Sequence, residues 1–440
     1  MRGGGNGGER ALIVSSDGHA MAKMPDYRPY LPAEYREAFD DFCKVYADHG
    51  YRSFDAENLL GRVDPDVVDE WLETMHQPGR DDGNHDPHRR LQIMEDEGIV
   101  AEVLFPDFGL PFELIGSQGT RNKGKRALAD YPPRTREQID VGNKAHNRWV
   151  ADFCSVAPER FAPMALTLWD DVDAAIAEIT WAKSAGFRGV VLPTFDEESP
   201  VFHAKFDPIW STLEDLEMVA NTHVAISATV PHKGYQGVPH PAVHMPIHSG
   251  VILFRCQEIL SHMIWGGVFE RHPRLRLCLT EQGSGWVVGA LRGWDYSYEG
   301  SYLRRDTHEV VRRRPSEYFA EHCYLGSSIF SREEIEARHE IGLAKMLLGM
   351  DYPHHEGTFA SGGTREYLRA TLGAAHVPPE EARLLLGENH VKLWALDREK
   401  LQAVADRVAP TLAEVLTPPD TNLFPRGDVN KPLATAAPGG

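Results

Sequence analysis

The sequence predicts an α/β protein built as a (β/α)8 TIM barrel. Eight short, apolar, β-branched runs recur along the 440 residues, and they alternate with segments of helical period. The length also exceeds the roughly 100 to 200 residues of an ordinary domain. Near-continuous hydrophobicity within each run marks strands buried on both faces of a parallel sheet. A doubly wound open sheet is the alternative, because periodicity does not show closure.

The first run is LIVSSD at 12–17 and the second is VAEVLF at 100–105. Between them HDPHRRLQIMEDEG reads as a helix with Asp86 as N-cap, Pro87 in the first turn and Gly98 as stop. APMALTL at 162–168 follows, then DVDAAIAEITWAKSAG, whose Val172, Ala175, Ile176 and Ile179 share one face before Gly186 ends it. GVVLP at 189–193 leads to DPIWSTLEDLEM, with Asp207 expected as N-cap and Pro208 behind it. VANTHV at 219–224, LRLCLTE at 275–281, CYLGS at 323–327 and KMLLGMD at 345–351 complete the eight. The Gly-rich 1–10 segment reads as a tail, 11–400 as one barrel domain, and 401–440 as an extension whose NKPLATAAPGG end lacks core-forming residues.

Composition narrows the partners. With 65 acidic against 46 basic residues, the net charge of -19 opposes a phosphate backbone, so nucleic acid is not expected. No stretch approaches the roughly 20 apolar residues of a membrane span. Five cysteines without a C-x-x-C pair fit a reducing cytoplasm. There is no P-loop, no G-x-S-x-G elbow, and GGGNGG lies in the tail, so nucleotide hydrolysis, serine nucleophile and dinucleotide chemistry have no support.

In a barrel the chemistry sits at the C-terminal ends of the strands. Asp17 and His19 end the first strand, with Gly18 expected to let the backbone bend. His223 ends the fifth, Glu281 the sixth, and Asp351 the last, followed by His354 and His355. Carboxylates with imidazoles suit zinc, iron or manganese. A lone histidine is more often structural, and Glu281 could pair with Arg276, yet four strand ends each delivering an acid or histidine is hard to obtain by chance because strand interiors exclude charge. At least one of His354 and His355 is expected to face the metal. His85 and His88 rank lower, and His232, His240, His244 and His248 read as a lid or substrate wall. Arg304, Arg305, Arg312, Arg313 and Arg314 form a basic run that is either a solvated face or a phosphate-holding surface.

At SSDGHA, NTHV, GVFERHPRLRLCLTEQGSGW, MLLGMDYPHHEGT and LLLGENHVKLWALD, from about Ile13 to Asp397, the chain resembles the amidohydrolase-related barrel enzymes, the group that includes aminocarboxymuconate-semialdehyde decarboxylase. That resemblance implies a metal centre with Asp17 and His19 as the first-strand pair, His223 as the fifth-strand histidine and Asp351 as the terminal aspartate. Where many members carry a histidine and glycines, this chain has Glu281 in TEQG. The combination also resembles the smaller set of barrel enzymes that includes the non-haem di-iron monooxygenase of platensimycin and platencin biosynthesis. This implies two iron ions, dioxygen, an external electron donor and a coenzyme A-linked diterpenoid substrate. The alternative expectation is a zinc- or manganese-dependent hydrolase or decarboxylase. Assembly as a homo-oligomer is left open.

Overall fold

The computed structural model describes residues 8–48, 65–107, 109–112, 134–223, 254, 257–300, 303–359 and 363–419. Its strands are all parallel: β1 (Val14–Ser15), β2 (His19–Ala20), β3 (Ala101–Pro106), β4 (Phe161–Leu166), β5 (Gly189–Val191), β6 (Val219–His223), β7 (Leu277–Thr280), β8 (Cys323–Ser327) and β9 (Met346–Leu348). They pair in the order β1-β3-β4-β5-β6-β7-β8-β9, and β2 also pairs with β3. All eight expected runs carry strands, and the first is interrupted at Ser16, Asp17 and Gly18, so it appears as β1 and β2.

Closure, which the sequence left open, comes from backbone bonds between the first and last strands. Ser16 N donates to Leu348 O at 2.7 Å, Asp351 N to Asp17 O at 3.0 Å, and His19 N to Tyr352 O at 2.8 Å. The barrel therefore replaces the open-sheet alternative.

Strand periodicity divides the core. Val103, Phe105, Met164, Val191, Cys278 and Leu347 form one buried cluster, while their sequence neighbours Leu104, Ala165, Val190, Leu277, Leu279 and Leu348 join the larger cluster shared with the helices. Each such large side chain contributes roughly 1.5–3 kcal/mol by leaving water. A third cluster lies where the strands begin: Leu401, Ala405 and Ala409 pack on Leu12, Val14 and Ala101. Ala11 N donates to Pro410 O there, and Leu412 N to Glu9 O.

The helix Pro87–Glu97 is capped as its sequence predicts: the Asp86 carboxylate accepts from His88 N and Arg89 N, and Gly98 turns left-handed at φ 74°. Asp207 departs from expectation. It is the first residue of its helix, with Phe206 at the cap position, and its carboxylate instead accepts from Arg271 Nε. No helix among the described residues is long and apolar enough to cross a membrane.

Candidate metal centre

The barrel mouth is assembled from strand ends. β1 and β2 deliver Asp17 and His19, β6 delivers His223, β7 runs directly into Glu281, and Asp351 follows β9 after Gly349 and Met350. Glu281 and Asp351 both adopt left-handed backbone, at φ 59° and 53°. A non-glycine residue there carries roughly 1–3 kcal/mol of strain, which the surrounding structure has to hold in place. For Glu281 the consequence is visible: simple alternation after Leu277 and Leu279 would aim it at the helix layer, whereas its carboxylate reaches His223 in the mouth. Gly349 serves the same seam. A Cβ there would meet Ser327 O at 2.6 Å and Asp17 Cβ at 2.8 Å, so only glycine lets β9 approach.

The donors converge closely. His223 lies between two acids, its Nε2 3.3 Å from Asp17 Oδ1 and its Nδ1 3.2 Å from Glu281 Oε2. His19 Nε2 is 3.6 Å from Asp17 Oδ1 and 3.2 Å from Asp351 Oδ1. His354 Nδ1 lies 2.9 Å from Asp351 Oδ1, and its ring stacks on His19 at 4.2 Å. Ser328 Oγ donates to Asp17 Oδ2 at 2.6 Å, fixing that carboxylate. Three sets of donor atoms could each hold a cation: Asp17, His19 and His223; His19, Asp351 and His354; and Glu281, Asp351, His354 and Glu356.

One arrangement shows that these donors fit a cation. His19 Nδ1 donates to Pro106 O at 3.0 Å, so in the neutral ring the lone pair is on Nε2. That nitrogen and Asp351 Oδ2 are buried without a hydrogen bond among the described residues. With that ring neutral, the Nε2 lone pair facing Asp351 Oδ1 is an arrangement that a cation held by both residues would relieve.

Titration follows the same charges. Burial, with the charges of Asp351 and Asp17 adding to it, holds the Glu281 carboxyl well above its ordinary value. For Asp351 burial acts upward too, but the positive charge of His354 and the polar contacts of His19 and His354 together outweigh it and lower the carboxyl. Burial opposes protonation of His354, and Asp351 and Asp107 overcome it, raising the imidazole well above its ordinary value.

The structure thus brings Asp17, His19, His223, Glu281, Asp351 and His354 together. His355 is not part of this cluster: its Nδ1 lies 2.8 Å from Glu356 Oε2, so of the adjacent pair His354 faces the mouth. The alternative partner for Glu281, Arg276, gives way to His223. Gly18 also has a different reason from the one expected. A Cβ there would meet Arg90 Nη2 at 2.8 Å, so its missing side chain makes room for an arginine. Neither His85 nor His88 belongs to a metal-holding set among the described residues. The histidines at 232, 240, 244 and 248 lie outside the described residues. In the basic run, Arg304 pairs with Asp306, Arg313 with Glu321, and Arg314 with Glu299 and Glu317.

Asp107 and Glu356 were missed. Asp107 Oδ1 lies 3.6 Å from His354 Nε2, and its Oδ2 accepts from Asn84 Nδ2 at 2.7 Å. It directly follows β3, two residues beyond the expected run, so the strand-end rule that selected Asp351 would have found it.

The sequence model of the family described as "Amidohydrolase" matches residues 129–396. The chain belongs to the amidohydrolase family. Among its relatives, gamma-resorcylate decarboxylase of Rhizobium sp. (strain MTP-10005) is 26% identical over 321 residues, covering 70% of this chain and 86% of the relative. An amidohydrolase from Mycobacterium avium subsp. paratuberculosis K-10 shares the fold at a TM-score of 0.60 and 16% identity, covering 88% and 99% of the two chains. A 5-carboxyvanillate decarboxylase of Novosphingobium aromaticivorans, whose structure holds manganese, has a TM-score of 0.56 and 16% identity over 88% of this chain and 97% of its own.

These relatives correct the oxidoreductase expectation. Gamma-resorcylate and 5-carboxyvanillate decarboxylases stand among them, and neither a monooxygenase nor a pair of iron ions is supported. The signals behind that expectation, Glu281 in TEQG and the DYPHHEG segment, make the mouth more acidic without specifying redox chemistry.

Proposed function

We propose that this amidohydrolase-family enzyme is a divalent-metal-dependent decarboxylase acting on an aromatic carboxylate, without net oxidation. The observation that carries the metal is the buried His19 Nε2 facing Asp351 Oδ1 at 3.2 Å with no hydrogen bond. Asp17, His19, His223 and Asp351 would hold it, with Glu281 and His354 at the flank. A set this rich in carboxylates is hard, which suits manganese better than zinc. The reaction type and substrate class rest on the relatives: gamma-resorcylate and 5-carboxyvanillate decarboxylases.

Bound there, the cation would supply Lewis acidity and a fixed positive charge for an anionic substrate. The rest falls to the chain. Decarboxylation breaks a carbon–carbon bond, leaves the electron pair on the ring carbon and requires a proton at that carbon. Without a cation, Glu281 at its carboxyl and His354 at its imidazole favour their protonated forms, and these two are the mouth groups that would supply that proton. Phe105, whose ring lies 4.6 Å from that of His223, gives the mouth an apolar floor that excludes water.

The test is carbon dioxide release from dihydroxybenzoates and 5-carboxyvanillate by protein reconstituted with manganese, run without oxygen. Release is expected, and it should be lost in Asp351→Asn. Manganese bound tightly with no release from any aromatic carboxylate would overturn the reading.

A further inference from the structure

Behind the mouth lies a charged pair that ligand holding does not use. Arg90, on the helix Pro87–Glu97, and Glu102, on β3, are both buried, and Arg90 Nε donates to Glu102 Oε2 at 2.6 Å. The same guanidinium does two more things. Its Nη1 donates to the backbone oxygen of His19 at 3.0 Å, and its plane lies over the Tyr352 ring at 3.6 Å. Tyr352 directly follows Asp351, and its backbone oxygen accepts from His19 N at 2.8 Å.

Arg90 therefore grips both sides of the seam that closes the barrel, at one residue carrying a candidate ligand and at the neighbour of another. Gly18 is shaped for this approach, since any side chain there would displace Arg90 Nη2. The pair is expensive as a stabilising device. Arg90 Nη2 and Glu102 Oε1 are buried with no hydrogen-bond partner among the described residues, and a buried ion pair is commonly no better for stability than apolar side chains of similar volume. An incompletely satisfied pair at a seam between two ligand-bearing strands points to positioning, not to stability.

We infer that Arg90, held in orientation by Glu102, is a positioning residue for the metal centre: it sets the spacing between His19 and Asp351 across the seam. Lysine cannot replace it, because only the planar fork reaches Glu102 and the His19 carbonyl at once while stacking on Tyr352.

The inference rests on the proposed metal site, and its test separates the two. Manganese affinity is measured by electron paramagnetic resonance on metal-free full-length protein, alongside thermal unfolding without metal. The variants are Arg90→Lys, Glu102→Gln and the paired Arg90→Met with Glu102→Met. For the paired variant, unfolding temperature is expected to be unchanged or higher while manganese binds at least tenfold more weakly, the range seen when groups that orient ligands are removed. Arg90→Lys should also bind at least tenfold more weakly, since charge alone does not restore spacing. Should parent and paired variant bind manganese within threefold of each other, the inference falls and the metal site stands. Should the parent itself not bind manganese, both fall.

Discussion

Replacing Asp351 by asparagine tests the centre where its geometry is tightest. The side chain is fully buried, 2.9 Å from His354 Nδ1 and 3.2 Å from His19 Nε2, and asparagine keeps its shape while removing the charge. A ligand that binds only the folded state stabilises it by RT ln(1 + [L]/Kd), or about 2.7 kcal/mol at a hundred times Kd. At about 2.1 cal/mol/K per residue, 440 residues unfold with roughly 0.9 kcal/mol/K, so saturating manganese should raise the parent's Tm by about 3 °C. If losing the charge weakens binding a hundredfold, the same manganese concentration equals the variant's Kd. The gain then shrinks to about 0.4 kcal/mol, under 1 °C. Calorimetry after chelator treatment, with and without manganese, reads both shifts. A variant that kept the parent's full shift would show that Asp351 does not hold the cation, and the site would have to be rebuilt around the other donors.

Two further outcomes are expected. His354→Ala should weaken manganese binding and abolish turnover, whereas His355→Ala, which alters a residue in none of the three donor sets, should leave both within about twofold; equal losses would refute the assignment. Acid stability supplies the other. Burial lowers His146 to about 3 and His390 to about 4, from the 6.5 expected when unfolded. The unfolded chain therefore takes up protons that the fold refuses. The stability from each neutral histidine is complete above pH 6.5 and is lost as pH falls toward its folded value, at up to about 1.4 kcal/mol per pH unit. His390→Gln should flatten the slope of unfolding free energy between pH 4.5 and 6 by about that amount in urea titrations, and an unchanged slope would contradict it.

The legible parts of this protein are those dictated by local pattern. Strand positions followed from apolar runs buried on both faces, and the helix Pro87–Glu97 from an aspartate cap and a terminating glycine. Asp17, His19, His223 and Asp351 were found because a charged residue at the end of such a run is out of place unless it serves the mouth. What stayed hidden depends on three-dimensional contact. Closure rests on backbone bonds between residues more than 300 positions apart. The choice of His354 over His355 rests on which ring the turn after Asp351 presents to His19. Arg90 is not singled out by the sequence, because nothing in HDPHRRL tells that its guanidinium meets a strand's backbone through the gap left by Gly18.

The charge balance of the mouth connects these observations. Asp17, Asp107, Glu281 and Asp351 meet there with His19, His223 and His354, while Arg90, the nearby buried arginine described above, is occupied by Glu102 and the His19 carbonyl. Repulsion among the acids, which adds to burial in raising the Glu281 carboxyl, can be relieved in two ways: by protons or by a cation. The contact of His19 with Asp351 is the place for the second: His19 donates through Nδ1 to Pro106 O, its Nε2 faces Asp351 Oδ1, and the Asp351 carboxyl is lowered, so its charge is kept there. A positive centre between His19 Nε2 and Asp351 Oδ1 removes that repulsion without moving the barrel seam that holds them 3.2 Å apart.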